Sequence, residues 1–304
     1  MILHNDKENF DIAIRAASRY FNISPAIIEK DYYVALILCE LTKKVPDLIF
    51  KGGTSLSKCY KIIDRFSEDI DITLSSEHIS QSKRRSLKYA IIDICNNLGL
   101  NLLNEDETRS RRDYNCYKIE YAAMHYFSSL NPKLLIETSF IVRSFPYEIK
   151  NVSTFIYDFL KATGNDKAII QYELEPFNIH VQTIERTLVD KVFAVCDYML
   201  DDNMEKHSRH IYDLSCLLSR VTLDENLKML IKKVREDRKN GTKCYSAQDG
   251  VNVSKLLYKI IDTDFFKKDY EESTRKLLFK PVSYEDAIKA LKIIAKSGVF
   301  VIDN

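Results

Sequence analysis

Glycine and proline are scarce in this chain, at 7 and 6 of 304 residues, where average usage would give roughly 7% and 5%. A loop-rich fold of short strands and tight turns is thereby excluded, and long helices are favoured. An excess of charge of one sign is missing as well. Lys and Arg number 45 against 44 Asp and Glu, so the composition carries no global nucleic-acid or membrane footprint. No apolar run approaches the ~18 residues of a membrane span, and Met1-Ile2-Leu3-His4 does not open a secretion signal. Seven cysteines (Cys39, Cys59, Cys95, Cys116, Cys196, Cys216, Cys244) form no Cys-x-x-Cys pair and have no histidine at zinc-finger spacing. That is the usage of a reduced, intracellular chain, and a cytoplasmic protein without a membrane partner is expected. What the chain does have is 45% hydrophobic and 29% charged residues, enough for a large core and incompatible with disorder or low complexity.

Apolar periodicity predicts helices over residues 8–22 and from Pro25 to about Lys43, with Pro46 as a stop. Leu48-Ile49-Phe50 reads as a short strand, Gly52-Gly53-Thr54-Ser55 as the turn after it, and Leu56, Cys59, Tyr60 and Ile63 as the face of a helix. Asp69-Ile70-Asp71-Ile72-Thr73-Leu74 alternates strictly and predicts a strand with its acids on one face. A helix over 84–98 and strands around 114–121 and 133–141 complete an α/β (α+β) unit within residues 47–142, a small mixed sheet flanked by helices. Beyond Pro146 the pattern predicts a mainly helical half, with helices near 152–162, 183–200, 206–219, 224–239, 252–261 and 284–297. Two domains are expected, 1–145 and 146–304.

The chemistry concentrates where glycine does. A Gly pair between strand and helix lets backbone approach a ligand, and a helix start offers unpaired N–H groups, so Gly52 and Gly53 mark a phosphate seat. Thr54 and Ser55 add hydroxyls there and Lys51 a charge. Asp69 and Asp71 project from one strand face, where two like charges are costly unless cations compensate. Paired divalent ions about 3.5–4 Å apart are the usual arrangement for attack on a phosphate. Glu137, an acid inside the apolar run Leu134 to Phe140, is the candidate third carboxylate, although an ordinary outward-facing strand residue would look the same. Lys191, among apolar helical neighbours, could turn an ammonium toward a triphosphate. Asp213 lies four residues after Arg209 at the start of an apolar helix face. The basic runs Lys83-Arg84-Arg85 and Arg109-x-Arg111-Arg112 are candidates for an RNA-binding patch and equally read as solvated surface.

Together these residues resemble the nucleotidyltransferase superfamily of the DNA polymerase β type. Four stretches, Lys51-Gly52-Gly53-Thr54-Ser55-Leu56, Arg65-Phe66-Ser67-Glu68-Asp69-Ile70-Asp71, Lys191-x-x-Ala194 and Arg209-x-x-Tyr212-Asp213-Leu214, are similar to the motifs of the AbiEii/AbiGii toxin family. The likeness begins at Glu29-Lys30-Asp31-Tyr32 and ends near residue 214. Two departures stand out. Gly53 and Asp69 are separated by 15 residues, longer than the generic superfamily spacing, and Arg209-His210 stands where the family would place Arg-Asp.

The resemblance implies a toxin of a bacterial toxin–antitoxin or abortive-infection system that transfers a nucleoside monophosphate from an NTP with release of pyrophosphate. Lys51, Gly52, Gly53, Thr54, Ser55, Arg65 and Ser67 would then bind nucleotide. Asp69, Asp71 and Glu137 would hold Mg²⁺ or Mn²⁺. Lys191 and Asp213 would be further essential residues, Asp213 orienting Lys191 or touching the nucleotide. The tRNA 3′ end is the expected acceptor and an antitoxin from an adjacent gene the expected partner. A protein or small-molecule acceptor, or a nucleotide-binding regulatory module without chemistry, are the alternatives.

Overall fold

Phe10, Ile14 and Ala17 recur on one face of α1 (Lys7–Phe21) and are buried. The Asp6 side chain caps this helix by accepting from the Asn9 N–H. Helix α2 (Pro25–Lys44) opens with Pro at its first turn and buries residues all round, from Ile28 through Tyr32 and Ile37 to Leu41. Such a helix must be packed on more than one side. The computed structural model describes residues 2–67, 69–76, 78–126 and 133–301.

A seven-stranded mixed sheet, in the order β3-β4-β5-β2-β1-β7-β6, forms the centre of the first part of the chain. Its strands are β1 (Leu48–Lys51), β2 (Ile70–Leu74), β3 (Asn101–Leu102), β4 (Tyr114–Glu120), β5 (Lys133–Ser139), β6 (Tyr147–Val152) and β7 (Phe177–Gln182). β1 runs antiparallel to β2 and parallel to β7, while β2 runs parallel to β5. β4 is antiparallel to both β3 and β5. Helix α3 (Gly52–Lys58) follows β1 directly, α4 (Gln81–Asn97) follows β2, and α5 (Phe155–Ala162) and α6 (Asp166–Gln171) lie between β6 and β7. The four strands expected from alternation are present at the expected places. Three others are additional, and two of them, β6 and β7, lie beyond Pro146 in the part read as mainly helical. In β7, Phe177, Ile179 and Val181 alternate with polar residues, the signature of a strand with one buried face. β6 is the sheet edge and leaves Tyr147 and Ile149 exposed, so burial imposes no clear pattern on it.

The chain divides into two compact units. The first comprises Met1–Cys59, Ser67–Phe140 and Tyr147–Val181, and therefore the sheet. The second comprises Tyr60–Phe66, Ile141–Pro146 and Gln182–Asn304. The change at residue 146 expected from sequence does not coincide with this division, because β6 and β7 belong to the sheet. In the second unit α7 (Ile184–Leu200), α8 (Arg209–Leu218), α9 (Glu225–Arg238), α10 (Val253–Asp262), α11 (Lys267–Glu272), α12 (Tyr284–Ala287) and α13 (Lys289–Lys296) follow one another. The helix expected over 284–297 is thus two short pieces. Leu188, Val192 and Phe193 of α7, Leu214 and Leu217 of α8, Leu257 of α10 and Leu291 of α13 are inaccessible to solvent. Each such side chain contributes about 1.5–3 kcal/mol to the unit's stability. Residues 60–66, although they interrupt the first unit in sequence, are stitched into the second by backbone pairing. Arg65 bridges Leu278, Phe66 N–H donates to Leu277 O and Phe279 N–H to Asp64 O.

Candidate active site

In the first unit the sheet register builds a row of polar side chains. Lys51 on β1 is the partner of Asp71 on β2, Asp71 of Glu137 on β5, and Glu137 of Cys116 on β4. Directly paired residues project to the same side of a sheet with Cβ atoms about 4.5–5.5 Å apart, so a cation, two acids and a thiol stand in line on one face. Asp69, two residues before Asp71, belongs to that face by alternation. Burial confirms which face is which. Leu134, Ile136 and Thr138 of β5 are buried, whereas Leu135, Glu137 and Ser139 are half-buried. Glu137 is therefore partly shielded rather than a freely solvated strand residue.

Gly52 seats the middle of this row. Its φ of +77° is the left-handed conformation that side chains resist, and a Cβ placed on it would lie 1.9 Å from Asp71 Oδ2. Two independent reasons thus demand glycine here: the turn from β1 into α3, and the Asp71 carboxylate lying against the backbone. The hydroxyls beside it are already engaged. Ser55 Oγ donates to Gly52 O, and Thr54 Oγ1 lies 2.9 Å from Ser67 Oγ, tying α3 to the segment that leads into β2. Lys51 has no ion-pair partner among the described residues, which leaves its ammonium available to a phosphate. Asp31, from the start of the family likeness, holds α3 from behind by accepting from Lys58 Nζ, and it also accepts from Phe155 N–H.

Two residues that the sequence reading passed over join this face. Tyr114, the partner of Ser139, hydrogen-bonds the Glu137 carboxylate, and burial followed by the Glu137 charge pushes its phenol up. Burial, then the charges of Glu137 and Asp69, likewise pushes the Cys116 thiol up. Both groups remain protonated at neutral pH. The spacing Tyr114-x-Cys116 on an alternating strand was the available signal. Among the described residues no three His, Cys, Asp or Glu side chains close into a metal-holding group. Mg²⁺, however, characteristically takes only one or two carboxylates and completes its shell with water and substrate phosphates. The hard oxygen donors of Asp69, Asp71 and Glu137 fit that chemistry.

The second unit holds a buried ionic cluster. Arg65, Lys191 and Asp213 are 3%, 5% and 0% exposed. Asp213 accepts from Arg65 Nε at 2.7 Å and from Arg65 Nη2 at 2.8 Å, a two-point fork, and forms an ion pair with Lys191 Nζ at 2.6 Å. Burial by itself would raise the Asp213 carboxyl, but the charges of Arg65 and Lys191 outweigh it and hold the group far below the usual carboxylate range. Burial lowers Lys191, against the opposing pull of Asp213. Asp213 is thus a positioning residue with both oxygens occupied, and Arg65, expected at the nucleotide, clamps Asp213. Lys191 Nζ also lies 3.2 Å from His210 Nδ1.

The basic runs are largely engaged within the first unit. Lys83 pairs with Asp47, Arg84 with Asp113, and the Arg109 and Arg112 guanidiniums donate to backbone carbonyls. Arg85 lies over the Tyr89 ring. Glu68, inside the second motif, lies outside the described residues.

A family profile described as "Nucleotidyl transferase AbiEii toxin, Type IV TA system" matches residues 37–291. The chain belongs to the AbiEii nucleotidyltransferase toxin family. It is accordingly a nucleotidyltransferase of the EC 2.7.7 type and a toxin of a type IV toxin–antitoxin system, with a nucleotide as substrate and an antitoxin as partner. Its fold is similar to that of MenT4, a nucleotidyltransferase toxin from Mycobacterium tuberculosis H37Rv. The identity is 16%, the TM-score 0.52, and the match covers 97% of this chain and 90% of that one. JHP933 from Helicobacter pylori matches with 16% identity and a TM-score of 0.45 over 89% and 90% of the two chains. No curated protein matches the chain in sequence. No helix among the described residues is long and apolar enough to cross a membrane.

Proposed function

We propose that this AbiEii-family toxin transfers a nucleoside monophosphate from an NTP to an RNA hydroxyl, the tRNA 3′ end being the acceptor, in a reaction dependent on Mg²⁺ or Mn²⁺. The observation that carries this reading is the seating of Asp71 on the Gly52 backbone in register with Glu137, which brings acids against a turn that a phosphate can approach. Asp69, Asp71 and Glu137 would hold the metal, which when bound supplies charge neutralisation at the α-phosphate and lowers the cost of ionising the acceptor hydroxyl. Lys51, at the end of β1, offers a cation to the nucleotide phosphates. Tyr114 donates to Glu137 and keeps that carboxylate oriented on its face. Lys191 takes the role of neutralising the pyrophosphate on the family resemblance, with Asp213 holding its ammonium.

The acceptor is decided by incubating the protein with each labelled NTP and either total RNA or a protein lysate. Label on tRNA supports the reading, and label confined to protein overturns it in favour of a protein acceptor. Asp71→Asn, which removes the charge and keeps the shape, is expected to abolish transfer and growth inhibition while leaving the melting temperature near that of the wild type. Unchanged transfer by this variant would remove Asp71 from the chemistry, whereas a wild type that binds NTP and transfers nothing would leave a nucleotide-binding module.

A further inference from the structure

In the ionic cluster of the second unit one carboxylate is shared by two buried cations. Arg65 and Lys191 are cations, Asp213 is one anion, and all three are buried. A buried ammonium is costly unless its N–H groups find acceptors, and a neutral acceptor can share that load with the anion. His210, on α8 three residues before Asp213, is that acceptor. Its Nδ1 is 3.2 Å from Lys191 Nζ. An ammonium has three N–H donors and no acceptor, so the contact is a hydrogen bond only if Nδ1 is bare and the ring proton sits on Nε2. Asp213 takes a second donor at 2.6 Å. The third finds no partner among the described residues.

The ring is itself held. His210 lies in a near-parallel set of three rings with Tyr198 of α7 and His207, which just precedes α8. Tyr198 and His207 stack at 3.6 Å with an interplanar angle of 8°, and His210 lies 5.7 Å from Tyr198 at 18°. The Asp269 carboxylate receives the backbone N–H groups of Lys206 and Ser208 and thereby fixes the loop that carries His207. The orientation of the imidazole is therefore set from α7 and from the loop before α8, independently of Lys191.

We propose that His210 is a positioning residue for Lys191: neutral, with its proton on Nε2, it accepts one ammonium N–H, and with Asp213 it leaves a single donor aimed at an anionic ligand. This rests on the reading above, in which Lys191 neutralises phosphate charge. The groups acting on His210 are Lys191 on α7, Arg209 and Asp213 on α8, and His207. Protonating the ring would turn its acceptor into a donor and set a third cation against Lys191 and Arg65. Burial, then the charges of Lys191 and Arg209, oppose this and hold the imidazole well below its ordinary value.

The experiment compares wild type, His210→Asn and His210→Leu. The Asn amide oxygen can replace Nδ1 as an acceptor that does not titrate, whereas Leu fills the space and accepts nothing. His210→Leu is expected to weaken NTP binding and raise KM about tenfold, the usual loss when a hydrogen bond to a charged group is removed, and His210→Asn to restore most of it. Nitrogen-15 shifts of His210 in the wild-type protein should report the Nε2–H tautomer. An Nδ1–H tautomer, or equal NTP affinity in His210→Leu and wild type, overturns the proposal. The tautomer and NTP affinity need no turnover. A wild type that transfers nothing from any NTP therefore refutes the proposed reaction, while these two measurements still decide His210.

Discussion

Asp71 and Gly52 depend on each other. The carboxylate occupies the space that a side chain at residue 52 would need, and the backbone at residue 52 has a φ of +77°. Gly52→Ala therefore costs about 1–2 kcal/mol through the left-handed conformation, and it also displaces Asp71. We expect a modest drop in melting temperature and a loss of transfer of about a hundredfold, the scale seen when a reacting group is misplaced by an ångström. Single-turnover transfer set beside thermal unfolding measures both. A variant that lost stability without losing transfer would show that Asp71 need not lie against this turn. This pair was half-legible from sequence. A Gly-Gly turn and an Asp-x-Asp strand can each be read from spacing, but their contact is a product of the β1 and β2 register. Tyr114 and Cys116 escaped notice for the same reason, since nothing local links them to Glu137.

Helices α7 and α8 and the short stretch Asp64–Phe66 are joined at Asp213, and the consequences belong to these elements rather than to any one of the residues. The carboxylate receives both Arg65 and Lys191. Asp213→Asn would leave two buried cations without their counter-charge, a change that costs about 3–5 kcal/mol. The pH dependence follows from the depressed carboxyl. A group whose folded pKa lies below its unfolded value, about 3.9, contributes fully above that value and loses the contribution as pH falls further. The stability gap between wild type and Asp213→Asn, measured by chemical denaturation, should thus be wide at neutral pH and narrow below about pH 4. A gap constant with pH would mean that the carboxylate charge is not what holds these elements. Strand periodicity predicted β2, β4 and β5 because each has one dry face. β6 went unread because it is an edge, where no burial selects apolar residues.

For the molecule as a whole, a nearly neutral charge and few glycines say little about where chemistry lies, and the activity must be tested on the intact chain. Chelation of divalent ions is expected to abolish transfer while leaving far-ultraviolet circular dichroism unchanged, with Mg²⁺ or Mn²⁺ restoring it. Full transfer in chelator would remove the metal role of Asp69, Asp71 and Glu137. The amino-acid sequence alone determined the class of fold, the Gly-Gly turn, the acid pair and the two helical motifs, because these are local patterns of period, spacing and residue type. Only the tertiary structure decided that Glu137 stands beside Asp71, that Arg65 serves Asp213, and that His210 meets Lys191. Those pairings join residues from 19 to 148 positions apart, and only strand register and helix packing can bring such distant positions together.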